Sequence, residues 1–422
     1  MLAVYNIALR LYALLLRLVA PFNSKAAQWV AGRRGLLAHI QGTVRNETAP
    51  LVWFHCASLG EFEQGRPLME AVAQQYPTHK IVLTFFSPSG YSVRKNWPDA
   101  HYVFYLPLDT AANAQAFLEA VQPRLAVFVK YEFWYHFLSA LHRRQVPTIC
   151  VSAIFRPDQA FFKPWGSLFR RILESFTHIF TQNEASAELL RGIGIRQVSV
   201  AGDTRFDTVV GTAAAPPRSL PLLEAFVADQ APVLVVGSSW PDDISVVAPP
   251  LRHMVAAGIT LRVIVAPHEL HESGLRQLEA MVPGRAVRYS AAQPDTVAQA
   301  SILIIDSIGL LRELYRYGSI AYVGGAFGKG LHNTLEAAVF GLPLVFGPRY
   351  EKFQEAQDLV ALGSARSVET SAHLEGVLRE WLMDNPLRQR AGITNRQYVL
   401  DHAGATAAIM AALPLASNRM TN

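Results

Sequence analysis

The sequence predicts an α/β protein built from two doubly wound parallel sheets. Three observations carry that expectation. From Leu51 onward, short apolar runs alternate with helical periodicity, the pattern of parallel strands covered by helices on both faces. The alternation breaks at Thr212–Ser219 (TAAAPPRS), a small, Pro-rich stretch, and then restarts. The chain has 422 residues, enough for two or three domains.

The elements fall in order. Residues 1–34 form an apolar helix with a basic flank. Residues 35–211 form the first domain, with strands at Leu51–Cys56, Ile81–Phe85, Tyr102–Tyr105, Leu125–Val129, Thr148–Val151, His178–Thr181 and Gln197–Ala201. Amphipathic helices at Phe62–Gln75 and Thr110–Val121 lie between them. Residues 212–219 are the linker. Residues 220–422 form the second domain, with strands at Val233–Gly237, Leu261–Ala266, Ala286–Tyr289, Ile302–Ile305, Ile320–Val323 and Leu344–Phe346. The last helix is expected to pack back on the first domain. Two such halves predict a cleft between them, with ligands at the carboxyl ends of the strands.

Composition narrows the class. Hydrophobic residues make up 51% and charged residues 17%, which excludes a disordered chain. A net charge of +5 suits phosphates or acidic lipid. No Lys/Arg-dense run carries interleaved aromatics, so nucleic acid is not an expected partner. Cys56 and Cys150 each sit in an apolar run without a CxxC neighbour, as small core residues in a reducing compartment. The 13 histidines show no HExxH spacing, so no metal and no other cofactor is expected.

Met1–Ala20 is almost wholly apolar, broken by Asn6, Arg10 and Arg17. On a helix these three fall within about 40° of one another, a narrow polar stripe on an apolar rod. A spanning helix would bury two arginines in hydrocarbon at roughly 2.5–3.5 kcal/mol each. An in-plane helix lets both reach the headgroups, and Lys25, Arg33 and Arg34 add attraction to an anionic leaflet. A cleaved signal peptide and a purely intramolecular helix are the alternatives. Arg17 interrupts the apolar core that a signal peptide needs, and no small-x-small site precedes Pro21.

The densest chemistry lies in Ala321–Pro348, AYVGGAFGKGLHNTLEAAVFGLPLVFGP. A strand ends in Gly324-Gly325, a Gly-rich loop follows, and His332-Asn333-Thr334 opens a short helix with Glu336 in its first turn. Free backbone N–H groups there suit a phosphate, and Glu336 suits a ribose hydroxyl pair. The same pattern also fits an ordinary βαβ turn. In the first half, Ser58 and Glu61 match the S-x-x-E capping box. A carboxylate at that strand end also suits proton abstraction from a hydroxyl. Glu132 is a lone charge among aromatics in KYEFW, where burying it unpaired is costly. Ser87-Pro88-Ser89-Gly90 follows a strand and precedes Arg94, as either a turn or an anion contact. Gly237-Ser238-Ser239-Trp240 is a further strand corner, and Arg205 is a cation near the linker.

These segments resemble the bacterial Kdo (3-deoxy-D-manno-octulosonic acid) transferases. The resemblance spans nearly the whole chain. It rests on HCASLGE (His55–Glu61), TFFSPSGY (Thr84–Tyr91), YLPLD (Tyr105–Asp109), KYEFW (Lys130–Trp134) and GDTRFD (Gly202–Asp207). It continues through GSSWPDD (Gly237–Asp243) and Gly324–Pro348. It implies the GT-B architecture of two Rossmann-like domains, an acceptor half and a nucleotide-sugar half. It further implies CMP-Kdo as donor, the lipid A precursor as acceptor, inversion at the sugar carbon, and attachment to the cytoplasmic face of the inner membrane. Carried over, it makes Glu61 the general base, with Ser58, Gly60, Ser87, Ser89, Arg94 and Glu132 toward the acceptor. Arg205, Ser238, Ser239, His268, Gly325, His332, Asn333 and Glu336 fall toward the CMP moiety. Two positions depart from the family pattern: Gly330-Leu331 replaces a glycine pair, and Ala266-Pro267-His268 lacks the usual arginine. The competing expectations are a GT-B enzyme using a UDP-sugar and a two-lobed sugar- or nucleotide-binding protein without catalysis.

Overall fold

The computed structural model describes residues 1–415. The chain divides into two compact units, residues 1–208 with the chain from Ala403, and Val209–His402. The expected linker is shorter than 212–219. Thr204–Ala214 is one helix, and irregular chain starts at Ala215. Ala213 and Ala214 are strong helix formers and carry the helix up to Pro216-Pro217, which cannot continue it.

The first unit holds a seven-stranded parallel sheet. Its strands are β1 (Leu51–Cys56), β2 (Lys80–Phe85), β3 (Tyr102–Tyr105), β4 (Leu125–Val129), β5 (Thr148–Ala153), β6 (His178–Thr181) and β7 (Val198–Val200). Their order is β3-β2-β1-β4-β5-β6-β7. The chain reverses direction across the sheet between β1 and β4, the switch point where α/β sheets open a ligand crevice. β1 and β4 are buried at every position, the mark of strands covered on both faces. Trp53 and Phe128 anchor one face of the sheet, and Phe54, Phe62 and Phe85 the other. The helix Ala405–Ala411 returns to this unit, where Ile409 joins the layer of Phe62, Leu68 and Met69. Asp207 holds it by accepting from the Thr406 N–H and hydroxyl, each at 2.7 Å.

The second unit repeats the plan. Its strands are β8 (Val233–Ser239), β9 (Arg262–Pro267), β10 (Ala286–Arg288), β11 (Ile302–Ile304), β12 (Ile320–Val323), β13 (Leu344–Phe346) and β14 (Ala365–Ser367). They are ordered β10-β11-β9-β8-β12-β13-β14, all parallel, with the reversal between β8 and β12. The edge strand β14 is not expected from the sequence. Ala-Arg-Ser has no apolar run, and only Ala365 is buried.

Three helices precede the first sheet: α1 (Leu2–Val19), α2 (Ser24–Ala31) and α3 (Leu36–Val44). The last of these buries Leu36, Ile40 and Val44, one face at four-residue spacing, in the same core as Phe104 and Phe117. α1 has the length and apolar composition of a membrane-crossing helix, yet it lies against the first unit. The Tyr5 hydroxyl donates to Asp109 Oδ2 (2.5 Å), His136 Nε2 meets Asn6 Oδ1 (2.7 Å), and Ala13 is buried. Asn6 therefore faces the protein rather than joining Arg10 and Arg17 outside. Val4, Ile7, Leu11, Leu14, Leu15 and Leu18 are all exposed. At 100° per residue they form one continuous apolar face opposite the docked one.

Candidate functional site

In the first unit the candidates gather at the β1/β4 switch point. β1 leads through Ala57 into α4 (Leu59–Gln75), with Ser58 at the N-cap. Glu61 reaches back to that cap. Its Oε2 accepts from the Ser58 N–H at 3.1 Å and from the Ser58 hydroxyl. Among the described residues, no hydrogen bond reaches Oε1. The capping box is thus formed, and one carboxylate oxygen is left over. Gly60 is exposed beside it. Ser87 caps α5 (Pro88–Arg94), and its Oγ lies 3.0 Å from Ser89 Oγ. Arg94 turns toward its own scaffold. It pairs with Glu63 at 2.7 Å and lies 5.0 Å over Phe62. The expectation of a cation offered to an anionic acceptor is met here by a guanidinium whose counter-charge is internal.

Glu132 is buried but not alone, as the sequence reading had it. Its Oε2 accepts from Trp134 Nε1 at 2.7 Å and lies 3.0 Å from His55 Nε2. The other imidazole nitrogen, Nδ1, is 2.9 Å from Thr84 Oγ1, which accepts from Trp53 Nε1 at 2.8 Å. Register puts His55 beside Thr84, so their side chains share a face. An indole N–H only donates and an ionised carboxylate only accepts. The indoles of Trp53 and Trp134 are therefore donors at the two ends of the cluster, Trp134 Nε1 also lying 3.0 Å from His55 Nε2, and the His55 tautomer sets the directions between them, since Nδ1 also lies 3.2 Å from the Thr84 carbonyl oxygen. The two carboxylates of the site share a neighbour. Burial pushes the Cys56 thiol well up, and the charges of Glu61 and Glu132 add to it. The next residue after β4, Lys130, has a φ of 68°, a left-handed conformation that turns Tyr131-Glu132 off the strand.

The second unit places its candidates at the β8/β12 switch point. Ser238 adopts a φ of 51° where β8 breaks register with β9. Ser239 Oγ is buried without a hydrogen-bond partner. Asp243, fully buried, ties the corner together. Its Oδ2 accepts from Trp240 N (2.8 Å) and Gly325 N (2.9 Å), and its Oδ1 from the Tyr322 hydroxyl (3.0 Å). Gly325 sits at a φ of +96°, and any Cβ there would overlap the Gly330 carbonyl. Three rings stack in sequence: Trp240 on His268 at 4.6 Å, and His268 on His332 at 4.6 Å. Trp240 Nε1 donates to His332 Nε2 at 3.0 Å. Burial, helped by His268, pulls the His332 imidazole down to about 4. The helix after the Gly-rich loop is a single turn, Leu335–Ala338, with Asn333 Oδ1 accepting from Leu335 N. One turn carries little macrodipole, so its free N–H groups matter more than its dipole. Glu336 pairs with Arg312 at 3.1 Å. A cavity of about 210 Å³ opens beside Ser239, Trp240 and Glu269.

Arg205 belongs to the first unit, whereas Ser238, Ser239, His268, Gly325, His332, Asn333 and Glu336 belong to the second. Its guanidinium pairs with Asp203 at 2.8 Å. His55, Trp134, Trp240 and Asp243 are the residues that sequence reasoning quoted within motifs but did not select. Their signal was present: each lies within five residues of the carboxyl end of a switch-point strand. Among the described residues no group of three or more His, Cys, Asp or Glu is placed to hold a metal ion.

Two parallel sheets, each with its candidate residues at the switch point, define a GT-B protein, and the solved structures agree. The chain superposes on the UDP-GlcNAc 2-epimerase of Neisseria meningitidis with a TM-score of 0.60 at 14% identity, covering 86% of this chain and 98% of that one. MurG of Acinetobacter baumannii gives 0.53 at 14% identity, with 86% and 98% covered. These likenesses give the fold. Residues 30–208 match the family described as 3-deoxy-D-manno-octulosonic-acid transferase. Relatives with that name include those of Chlamydophila psittaci, 26% identical over 82% of this chain and 80% of theirs, and Haemophilus influenzae, 24% identical over 88% and 89%. Over most of its length the chain is thus similar to the Kdo transferases, and its residues 30–208 match their family model.

Proposed function

We propose that this enzyme transfers Kdo from CMP-Kdo to a lipid A precursor, with inversion and with Glu61 as general base. The acceptor hydroxyl oxygen attacks the anomeric carbon, its proton passes to Glu61 Oε1, and the bond to the phosphate oxygen breaks to release CMP. Kdo has no hydroxyl beside its anomeric carbon, which eases an oxocarbenium-like transition state. The hydroxyl is a poor nucleophile until a base takes its proton, an effect worth typically 10²–10⁴-fold.

The observation behind this reading is the Glu61 carboxylate at the β1/β4 switch point. One oxygen is fixed by the helix cap while the other makes no hydrogen bond among the described residues. A base oriented by its own cap needs no further positioning group. Glu132 is the second carboxylate of the acceptor side, with Ser58, Gly60, Ser87 and Ser89 around it and Arg94 as a supporting pair. The CMP moiety lies with Ser238, Ser239, Gly325, His332, Asn333 and Glu336. His268 stacks in the same ring set, and Arg205 contributes a phosphate contact. α1 attaches the enzyme to the inner membrane at its cytoplasmic face by its outward apolar side.

Purified enzyme incubated with CMP-Kdo and a tetraacylated lipid A precursor, read by mass spectrometry, tests the reading. A product heavier by Kdo, formed with release of CMP and inhibited by added CMP but not UDP, is expected. No mass gain with CMP-Kdo, or inhibition by UDP alone, overturns it.

A further inference from the structure

α1, α2 and α3 surround a cavity of about 870 Å³ on the first unit. Trp29, Leu36 and Leu108 contribute apolar wall, and Arg17, Arg33 and Arg34 contribute charge. No Asp or Glu lines it. Such a cavity is ample for a ligand headgroup.

Arg33 is the unusual member. Its guanidinium carbon lies 4.0 Å from the Trp29 ring centroid, 4.8 Å from Phe86 and 5.2 Å from Tyr105. Nη2 donates to the Phe86 carbonyl at 2.9 Å and Nη1 to the Trp29 carbonyl at 3.3 Å. Nε is buried and has no hydrogen-bond partner. Among the described residues Arg33 pairs with no carboxylate, and neither do Arg17 and Arg34. Burial pulls the Arg33 guanidinium down to about 9, opposed by the Tyr105 and Tyr12 phenols and by no carboxylate. A half-buried cation without a counter-ion is costly. Arg33 is one, and Arg17 and Arg34, both exposed, add two more cations around the same apolar hollow, whose lining holds no acidic side chain, so the matching negative charge comes from outside the chain.

The surroundings say what kind of anion. α1, which supplies Ala13 and Arg17 to the cavity, turns Leu11, Leu14 and Leu18 outward as bare apolar surface. Phe22, just beyond α1, is 90% exposed. A soluble phosphate would use the arginines but leave the apolar wall and these side chains in water. A phosphate carried on acyl chains uses both.

We propose that this cavity is a binding site for the phosphate headgroup of an anionic bilayer phospholipid. The phosphate oxygens meet Arg17, Arg33 and Arg34, and the upper acyl segments run along Trp29 and Leu36. α1 lies in the membrane plane beside the same lipid. The proposal goes beyond the attachment through α1 and rests on it. It makes attachment selective for lipid charge and gives the docked helix a fixed depth.

The full chain is mixed with phosphatidylcholine vesicles, or with vesicles containing roughly one-third phosphatidylglycerol, and bound protein is measured by flotation. Binding to the anionic vesicles is expected to be on the order of tenfold stronger. Arg17→Gln with Arg34→Gln, both exposed, should reduce it to the phosphatidylcholine level while leaving thermal unfolding unchanged. Arg33→Gln tests the caged group, and the exposed pair decides the matter if that variant fails to fold. Phosphatidylglycerol brominated on its acyl chains should quench a part of the fluorescence that Trp29→Phe removes. Equal binding to both vesicles, or an unaltered preference in the double variant, overturns the site while leaving attachment intact. Flotation with neither vesicle overturns attachment and the site together. Charge-dependent binding that appears only when the glycolipid acceptor is present would assign the arginines to the acceptor and overturn the proposal as well.

Discussion

His55 Nε2 stands 3.0 Å from Glu132 Oε2 inside the first unit, with His55 fully buried and Glu132 9% exposed. Leaving either partner of such a pair alone strands a buried polar group, a loss of about 1–3 kcal/mol. His55→Ala and Glu132→Ala should each destabilise the protein, and their effects should not add. A coupling of about 0.5–3 kcal/mol is expected for residues in direct contact. Urea unfolding of the two single variants and the double variant measures it. Strict additivity would mean that the pair contributes nothing as a pair.

Glu61 is both cap and proposed base, and one substitution separates the roles. Glutamine also completes a capping box. Glu61→Gln should therefore hold stability within about 0.5 kcal/mol while transfer falls by roughly 10²–10⁴-fold. CMP-Kdo binding should survive, since the donor candidates other than Arg205 lie in the second unit. Transfer within about threefold of the parent would leave Glu61 as a cap alone.

Gly324 has no room for a side chain. A Cβ there would overlap the Ser238 carbonyl oxygen and come within 2.8 Å of Ser239 Cα and 2.9 Å of Asp243 Oδ2. All three are backbone or pinned, so the loop must move. Gly324→Ala should cost about 1–3 kcal/mol and weaken CMP binding, measured by calorimetry, by tenfold or so. Gly376 is the contrast. It lies in the helix Ser371–Met383 with nothing within 4 Å of its Cβ position. Gly376→Ala should stabilise by about 0.4–1 kcal/mol and leave CMP binding alone.

The frame of the protein was legible because parallel strands buried on both faces read as continuous apolar runs. β1, β3, β4 and β6 begin and end where the runs do. β14 was not legible, since Ala-Arg-Ser owes its strand to backbone pairing with β13 and not to its side chains. Thr212–Ala214 read as irregular chain yet close a helix, because composition marks proline but not how far alanine carries a helix toward it. At the site, position was readable and partnership was not. Glu132 looked alone because His55, 77 positions away, meets it only through sheet register. Arg94 looked available because Glu63 is 31 positions off. Asn6 looked like part of a solvent stripe because nothing local announces His136.

His332 gives the second unit a pH dependence of definite sign. Its folded pKa of about 4 lies below the ordinary histidine value. Between the two values the unfolded chain binds the proton and the folded chain does not. Stability is therefore full above pH 6.5 or so and falls as the pH drops toward about 4. Partial exposure screens the effect to about 1 kcal/mol. His332→Asn, which cannot take the proton, should flatten this part of the stability profile. The comparison is urea unfolding of the two proteins at a series of pH values. Parallel profiles would show that the imidazole gains its proton as easily folded as unfolded.

α1 has two faces with separable consequences. The inner face holds it to the protein. Asp109 accepts from Tyr5, and also from the His136 and Phe137 amides at 3.0 Å. Burial and Asp109 push the Tyr5 phenol well up, so it stays protonated and donating. Tyr5→Phe removes this donor, and a fall in stability of about 1 kcal/mol is expected. Membrane partition should be retained, because the outer face is untouched. Leu11→Gln, Leu14→Gln and Leu18→Gln together act the other way. These side chains are 53%, 50% and 62% exposed and make little use of the protein core. Their exchange should leave the unfolding midpoint nearly unchanged and move the enzyme from the membrane to the soluble fraction. Removal of residues 1–20 should also release the protein, but at a cost in stability, because Asp109 and His136 then lose partners on α1. A triple variant that stays wholly membrane-bound would transfer the attachment to another surface. One that unfolds would mean that the outer face packs against protein and not lipid.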